Sequence, residues 1–386
     1  MSTAARPAPA WSSLAGTRIL DLSRLLPGPF ATSLLADLGA DVVTVEDPGR
    51  PDRLRTDREA FARIHRNKRS VALDLRTDAG RSALLRLVAA ADAVVESNRP
   101  GVLSALGLGY RQLRRANPRI VLCSLTGYGQ TGPYADKPGH DLNFLGLSGF
   151  FATPGSRDGR TARPGTRVGD LIGAMYAALA LAVAVPGARA TGEGQHIDLS
   201  LTEAATAWCA PFALNVRESD DPTEAFTVQG DNDVFETADG HRISLATFED
   251  KFWLAFRTSL AADFPDCSAL ADGAWDARLP RTAARHEVGT LLAELFRARD
   301  LGWWRQRLDA LNLPWAPVHT QARQLLDDPH ARERELFATV LDTVTGVRIP
   351  QVRFPVRFGQ GLDSFRRPAP EPGEHTDEVS AEWDAT

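Results

Sequence analysis

The sequence has few cysteines and no excess of positive charge. Its 386 residues include three cysteines, and 44 Lys and Arg stand against 49 Asp and Glu, giving a formal net charge of −5. Three distant cysteines, none in a CxxC pair, argue against a disulfide framework and favour a reducing compartment. The lack of a basic field argues against nucleic acid as a partner. We therefore expect a cytoplasmic protein that binds no nucleic acid.

The sequence also lacks a recognisable targeting signal and a long apolar run. Residues 1–11 have no apolar segment of the signal-peptide type and are predicted to be a disordered leader. The longest apolar stretch, residues 171–185, ends at Pro186 and is too short to cross a bilayer. We predict a buried helix there and no membrane partner. A chain of 386 residues suits two domains.

Several widespread catalytic motifs are missing. The joint after the first predicted strand, residues 23–30 (SRLLPGPF), has no GxGxxG pattern, and its two prolines remove backbone donors that a pyrophosphate would need. The histidines form no HExxH or HxxxH pair, and no GxSxG nucleophile elbow is present. The sequence therefore predicts no metal site, no dinucleotide at this joint and no hydrolase-type serine.

The first 125 residues alternate between strand-like and helix-like patterns. Such alternation with short joints predicts an α/β fold, in which helices cover a parallel sheet. A ligand of such a sheet normally binds at the carboxyl ends of the strands. The predicted strands are residues 17–22, 41–47, 92–98 and 119–125, and the predicted helices are residues 29–39 and 80–91.

A Gly-His-Asp sequence, Gly139 to Asp141, precedes an apolar helical run. A helix start offers free N–H donors and partial positive charge, which disfavours an imidazolium. His140 would then be neutral and able to accept a proton. The alternative is a capping or surface histidine.

Two carboxylates stand at other predicted helix starts. Asp170 precedes the apolar stretch, either as a helix cap or as a proton donor or nucleophile at the mouth of an apolar cleft. Glu249 ends a predicted strand and begins a helix. It is either a cap or the partner that holds His140 in one tautomer.

Two polar segments are candidates for binding phosphate. Asn67, Lys68 and Arg69 lie in a predicted loop before a strand, and Asn98 and Arg99 follow another strand. Amide and cationic side chains at such positions suit phosphate oxygens. A solvated loop is the alternative for both segments.

These segments resemble, as an ordered set over about residues 14–380, the class III CoA-transferase superfamily. The resemblance implies a Rossmann-like large domain built from both chain ends (residues 12–215 and 331–386), a smaller middle α+β domain (225–330), and an interlocked homodimer. It implies acyl-CoA substrates, no metal and no permanently bound cofactor, since coenzyme A enters as part of the substrate. The matching segments are GTRILDLSRLLPGPFATSLLADLGADVV, RNKRSVALDL, GYGQTGPYADKPGHDLNF, TGEGQHIDLSL, APV with a later DPH, and GEHTDEV.

Within the superfamily, GHDLNF is similar to the GHDxNY of the alpha-methylacyl-CoA racemase branch, and TFEDKFW matches that branch through Glu249. This implies a racemase of a 2-methylacyl-CoA, in which His140 and Asp170 remove and return the alpha proton, with Gly139 and Asp141 contacting substrate. One alternative is a CoA-transferase that forms an acyl-enzyme anhydride on Asp170. Another is a non-catalytic acyl-CoA-binding homologue.

Two departures from the family pattern bear on the ligand. Asp47 stands where the family often has an arginine that contacts the CoA nucleotide, so Arg50 or Arg53 is a candidate replacement. Arg167, in PGTRVGDL, could accept an acyl chain that carries a carboxylate. In addition, the segment VQGDNDVF has no counterpart to the tyrosine in the GGAPYY region of the racemase branch. This predicts an acyl group other than a plain 2-methyl fatty chain.

Overall fold

The computed structural model describes residues 12–152, 162–214, 229–342, 344–359, 361–362 and 365–384. The predicted leader, residues 1–11, lies outside the described residues. The chain divides into two compact units. The first unit comprises Met1–Phe150, Pro164–Pro211 and His330–Thr386, and the second comprises Phe151–Arg163 and Phe212–Pro329.

A six-stranded parallel sheet forms the centre of the first unit, in the order β3-β2-β1-β4-β5-β6. This is the order of a doubly wound Rossmann sheet, and it confirms the predicted α/β class. The strands are β1 (Arg18–Asp21), β2 (Asp41–Glu46), β3 (Lys68–Ala72), β4 (Ala93–Glu96), β5 (Val121–Thr126) and β6 (His196–Ser200).

Helices cover both faces of this sheet because its strands are apolar on both sides. Ile19 packs with the helices Pro27–Asp37 and Val168–Thr191, whereas its neighbour Leu20 packs with the helices Asp78–Ala90 and Thr376–Asp384. The helices of the first unit are α1 (Pro27–Asp37), α2 (Arg58–His65), α3 (Asp78–Ala90), α4 (Val102–Ala105), α5 (Tyr110–Ala116), α6 (Asp141–Leu147), α7 (Val168–Thr191), α8 (Leu201–Ala213) and α16 (Thr376–Asp384).

The C-terminal part of the chain returns to the same sheet. The hairpin of β10 (Phe337–Leu341) and β11 (Arg348–Val352) precedes α16. The His375 backbone N–H donates to the Ser70 carbonyl at 2.9 Å, which ties the start of α16 to β3. The first unit is therefore built from both ends of the chain.

Helix α7 differs from the prediction, because it does not end at Pro186. It continues through this proline to Thr191 and ends at Gly192 in the left-handed conformation. Among the described residues it is the one helix with the length and composition to cross a bilayer, and half of its apolar window is buried. The core helix of a soluble protein passes the same test.

The second unit contains a three-stranded antiparallel sheet and a helical layer around an aromatic core that includes Trp253, Phe296 and Trp304. A hairpin turns at Asp239 and Gly240, between the first two strands of this sheet. Its elements are β7 (Asn232–Glu236), β8 (Arg242–Ala246), β9 (Trp315–Pro317), α9 (Asp250–Asp263), α10 (Ser268–Asp272), α11 (Arg278–Ala283), α12 (Arg285–Arg297), α13 (Leu301–Ala310) and α14 (Ala322–Asp327); α15 (Pro329–Glu333) joins the two units.

Candidate active site

Two helix starts meet in the first unit. His140 is the N-cap of α6, where its backbone N–H donates to the Asn143 side-chain oxygen at 3.0 Å. Asp170 lies in the first turn of α7. The Asp141 carboxylate accepts the backbone N–H of Asp170 at 3.0 Å and so connects the two starts. The structure thus brings the Gly-His-Asp segment to the predicted carboxylate.

Asp170 is a buried acid whose carboxylate makes no hydrogen bond to a described residue; the residue is 8% exposed. Burial raises its pKa, the negative charge of Asp141 raises it further, and Arg167 opposes both, which gives a pKa of about 6. At about pH 7.4 roughly nine-tenths or more of the molecules therefore carry Asp170 as a carboxylate. A pKa of about 6 keeps it mainly ionised at neutral pH, and no residue in the described ranges forms a hydrogen bond to its carboxylate.

Close packing explains the glycines beside these acids. A Cβ atom at Gly169 would lie 3.2 Å from the Asp141 carboxylate. At Gly139 it would lie 2.6 Å from the Phe144 ring and 2.7 Å from the Tyr128 hydroxyl. Any larger residue at Gly139 would require the Phe144 or Tyr128 side chain, or the chain itself, to shift. Gly139 is thus placed as a packing residue, and its predicted contact with substrate stays a prediction.

The other two predicted catalytic residues, His140 and Glu249, are not buried beside Asp170 in the first unit as described. The His140 side chain is exposed, and so is Arg167. Glu249 belongs to the second unit, where it caps α9 and pairs with Lys251 at 2.8 Å. The helix start predicted at Glu249 is present. Its pairing with His140 stays a prediction.

A second feature of the first unit is a cavity of about 210 Å³ at the carboxyl ends of β1, β2 and β4. Asn98 lines it, and both its backbone N–H and its side-chain amide donate to Glu96. Arg99, by contrast, is exposed at the start of the following turn. The full lining is Leu22, Ser23, Arg24, Thr44, Val45, Glu46, Asp47, Arg50, Asp52, His65, Leu73, Asp74, Leu75, Arg76, Asn98, Leu103 and Leu106.

The other predicted phosphate-binding segment is not a loop. Lys68 and Arg69 begin strand β3, and the prediction of a loop there was wrong. Lys68 is fully buried and its ammonium contacts Asp21, the Pro29 carbonyl and the Thr32 hydroxyl within 3.1 Å.

Arg69 and Asn67 are also committed to internal partners. Arg69 bonds to Asp41, Glu378 and Glu382. The Asn67 amide donates to Asp37 at 2.8 Å, and its oxygen accepts backbone N–H groups from residues 366 and 367. The geometry of these three side chains supports a role in holding the sheet together and gives no support to phosphate binding.

Sequence reasoning missed three cavity residues, Arg24, His65 and Arg76. Arg24 follows β1 and Arg76 follows β3, and both line the edge where a doubly wound sheet binds ligands. This position after a strand could have identified them as candidate ligand-binding residues. Arg76 also contacts the unusual Asp47 at 3.4 Å and Asp74 at 2.8 Å. His65 carried no signal, because its place in the cavity depends on how α2 packs.

Comparison with known proteins identifies the family. A family model described as CoA-transferase family III matches residues 14–376. The chain belongs to this family.

Named relatives and a solved structure of the family match this chain over nearly its whole length. It is 32% identical to the succinate–glutarate CoA-transferase of Agrobacterium fabrum, covering 96% of this chain and 95% of that protein. It is 34% identical to the succinyl-CoA:mesaconate CoA-transferase of Haloarcula marismortui, covering 94% of each. A CaiB/BaiF family protein from Brucella suis superposes with a TM-score of 0.83 at 29% identity, covering 96% of this chain and 99% of that one. The superfamily prediction is confirmed, while these relatives carry the names of transferases.

Proposed function

We propose that this protein is a CoA-transferase whose nucleophile is Asp170. The observation that carries the proposal is the position of this carboxylate, which is buried in the first turn of α7 and makes no hydrogen bond to a described residue. A desolvated carboxylate is more nucleophilic than one in water, and an acyl carbonyl offers it an electrophile.

The first chemical step follows from this assignment. The Asp170 carboxylate attacks the carbonyl carbon of an acyl-CoA. The carbon–sulfur bond breaks, CoA leaves as its thiolate, and the acyl group remains on Asp170 as a mixed anhydride. An anhydride preserves the reactivity of the thioester. The CoA thiolate then attacks the Asp170 carbonyl of the anhydride, which releases the first acid as a carboxylate and leaves CoA on Asp170 as a thioester. The carboxylate of the second acid attacks this thioester and expels the CoA thiolate, and the thiolate attacks the acyl carbonyl of the second anhydride, which gives the new acyl-CoA and frees the Asp170 carboxylate.

The cavity at the strand ends is our candidate for the nucleotide end of CoA. Ligands of doubly wound sheets bind at this edge, and Arg24, Arg50 and Arg76 supply guanidinium groups for phosphates. Asp47 lies among these arginines and pairs with Arg76. We therefore expect CoA to bind through Arg24 and Arg50, with Arg76 partly neutralised.

The acyl groups are proposed to be dicarboxylic. The similar transferases named above act, by their names, on succinate, glutarate and mesaconate, which carry two carboxyl groups. Arg167 lies three residues before Asp170, and its charge reaches that carboxylate. An exposed guanidinium three residues before Asp170 suits the second carboxylate of an acid whose first carboxyl group reacts there.

Racemization remains the second candidate, favoured by the position of His140. This histidine caps the helix whose first residue, Asp141, bonds to Asp170. A His–Asp pair could exchange the alpha proton of a thioester from two sides. Racemization would need Asp170 as an acid in one direction and as a base in the other, and a pKa of about 6 suits both.

One experiment separates these functions. The protein is incubated with succinyl-CoA in deuterium oxide, with and without glutarate, and with a 2-methylacyl-CoA in parallel. Glutaryl-CoA that forms only with glutarate, and not with Asp170→Asn, supports the transferase. Alpha-deuteration without an acceptor supports the racemase and contradicts our proposal. Binding with neither product indicates a non-catalytic homologue and also contradicts it.

We further propose a homodimer in the cytoplasm. Helix α7 exposes Met175, Tyr176, Leu179 and Val183, an apolar strip that monomers rarely leave in water. A second copy of the chain is the expected cover. Light scattering coupled to gel filtration should give twice the chain mass of 41.9 kDa, and a monomer at micromolar concentration would contradict this.

A further inference from the structure

A tyrosine close to the candidate active site carries a hydroxyl that the mechanism has not used. Tyr128 lies two residues after β5, at the edge where ligands of doubly wound sheets bind. The residue is half-buried, and its hydroxyl forms no hydrogen bond to a described residue. It is not one of the fully buried polar atoms without a partner, so it keeps a surface that a ligand can contact.

The surrounding structure holds Tyr128 in one orientation. The Gly127 carbonyl accepts the backbone N–H of Thr202 at 3.1 Å and the hydroxyl of the same threonine at 2.8 Å. The Tyr128 ring packs edge-on against Phe144 of α6, with centroids 5.4 Å apart and planes at 82°. A group that is fixed before binding loses little entropy when a ligand arrives.

The Tyr128 hydroxyl lies beside the chain that leads to Asp170. It would stand 2.7 Å from a Cβ atom at Gly139. His140 has an extended backbone, with φ −133° and ψ 171°, and two extended residues span about 7 Å. Asp141 follows and binds the backbone N–H of Asp170 at 3.0 Å. Along this path the hydroxyl and Asp170 are separated by a distance on the order of a four- or five-carbon acyl chain.

A positive charge lies near the same hydroxyl. The ring of Tyr134 packs against that of Tyr128, with centroids 5.9 Å apart. The Lys137 ammonium lies 3.8 Å from the centroid of the Tyr134 ring, and it forms no ion pair with any residue in the described ranges. A hydroxyl that can donate a hydrogen bond, with an unpaired ammonium close by, suits a carboxylate.

We infer that Tyr128 is a specificity-determining residue that donates a hydrogen bond to the distal carboxylate of a dicarboxylic acyl group. The inference rests on the proposed function, which supplies the dicarboxylic substrate and its attachment to Asp170. The separation from Asp170 places the hydroxyl at the far end of the acyl chain, away from the reacting carbonyl. Arg167 then supplies the cation for the same carboxylate, and Gly139 leaves the hydroxyl uncovered.

The test is the kinetics of Tyr128→Phe with succinyl-CoA and glutarate. This change removes the hydroxyl and keeps the ring that packs on Phe144. The KM for glutarate should rise about 10- to 100-fold, which is the effect of losing a hydrogen bond to a charged group. The kcat should stay within about twofold, because the contact is the same in the bound acid and in the transition state. CoA alone should bind both proteins equally in isothermal titration.

Tyr110→Phe is the matched control. Tyr110 is a second half-buried tyrosine of the first unit, and its ring stacks on His196 with centroids 5.6 Å apart. It lies on α5, which leads to the amino end of β5 and so to the edge opposite the candidate site. Its loss of a hydroxyl should change neither the KM for glutarate nor kcat.

The outcomes separate the inference from the proposed function beneath it. If the wild type forms no glutaryl-CoA, the proposed function fails and the inference fails with it. If the wild type forms it and Tyr128→Phe has the same KM for glutarate, the inference alone is overturned. A fall in kcat at constant KM also overturns it, since the hydroxyl then acts on the reacting carbonyl. Weaker binding of CoA alone, or a lower unfolding temperature of Tyr128→Phe, overturns it as well, because the hydroxyl then serves CoA or the fold.

Discussion

Replacing Asp170 with asparagine should stabilise the folded protein at neutral pH while it abolishes transfer. The pKa of Asp170 is raised from 3.8 to about 6, mainly by burial. A rise of about 2 pKa units corresponds to roughly 3 kcal/mol, since one unit is about 1.4 kcal/mol. This is the free energy that the folded state loses by holding Asp170 ionised. Asparagine removes the charge at almost the same volume.

The effect has a defined dependence on pH. A carboxyl group with a raised pKa opposes folding only where it is ionised. Wild-type stability should therefore fall as pH rises from about 4 to about 6, and the full cost should be present above that range. Asp170→Asn should exceed the wild type by up to about 3 kcal/mol at about pH 8, with no difference below about pH 4. The gain is an upper bound, because the buried amide also lacks hydrogen-bonded partners.

The assay is thermal unfolding of both proteins across this pH range, compared with the rate of glutaryl-CoA formation. Asp136→Asn, an exposed acid on the segment before α6, is the matched control and should leave the unfolding temperature unchanged. The reasoning would be refuted if Asp170→Asn unfolded at a lower temperature than the wild type. It would also be refuted if the difference between their unfolding temperatures were the same at every pH. In that case burial does not penalise this charge, and its role as a desolvated nucleophile loses its physical basis.

Other predictions concern the same site and the sheet beneath it. The rate of transfer should fall as pH drops through about 6, where Asp170 is protonated. Asp141→Asn removes a repelling charge, so in a profile of kcat/KM against pH this fall should occur at a lower pH. His140→Ala should retain transfer within about tenfold, since general acid–base roles contribute roughly 100-fold or more; a thousandfold loss of rate would contradict the nucleophilic mechanism. Lys68→Met leaves the buried Asp21 carboxylate without its cation, with hydrogen bonds from Ser23 and Thr32 remaining. Urea unfolding should therefore show a loss of up to about 3–5 kcal/mol, partly restored by also introducing Asp21→Asn.

Apolar periodicity was sufficient to predict much of the first unit, and the failures have a physical cause. Strands β1, β2, β4 and β5 could be predicted because each is a short apolar run that ends at a turn. The start of β3 could not be predicted in this way. Lys68 and Arg69 look like a solvated loop, because such residues are seldom buried unless they are paired. Their partners include Asp21, 47 positions away, and Glu378, 309 positions away.

The candidate site was predictable in its parts but not in its assembly. His140 and Asp170 could be assigned to helix starts, because each precedes an apolar helical run. The hydrogen bond between Asp141 and the Asp170 backbone depends on how α6 packs on α7, and local sequence does not determine that. The pKa of Asp170 is likewise a consequence of burial.

Transfer and racemization, as proposed, draw on the same two side chains, His140 and Asp170, and differ in the role of one carboxyl group. Asp170 would be the nucleophile in transfer and a carrier of the proton in racemization. Burial and the charge of Asp141 raise its pKa to about 6, which suits a proton carrier at neutral pH as well as a nucleophile. The pKa therefore does not separate the two reactions, and the exchange of alpha protons in deuterium oxide does.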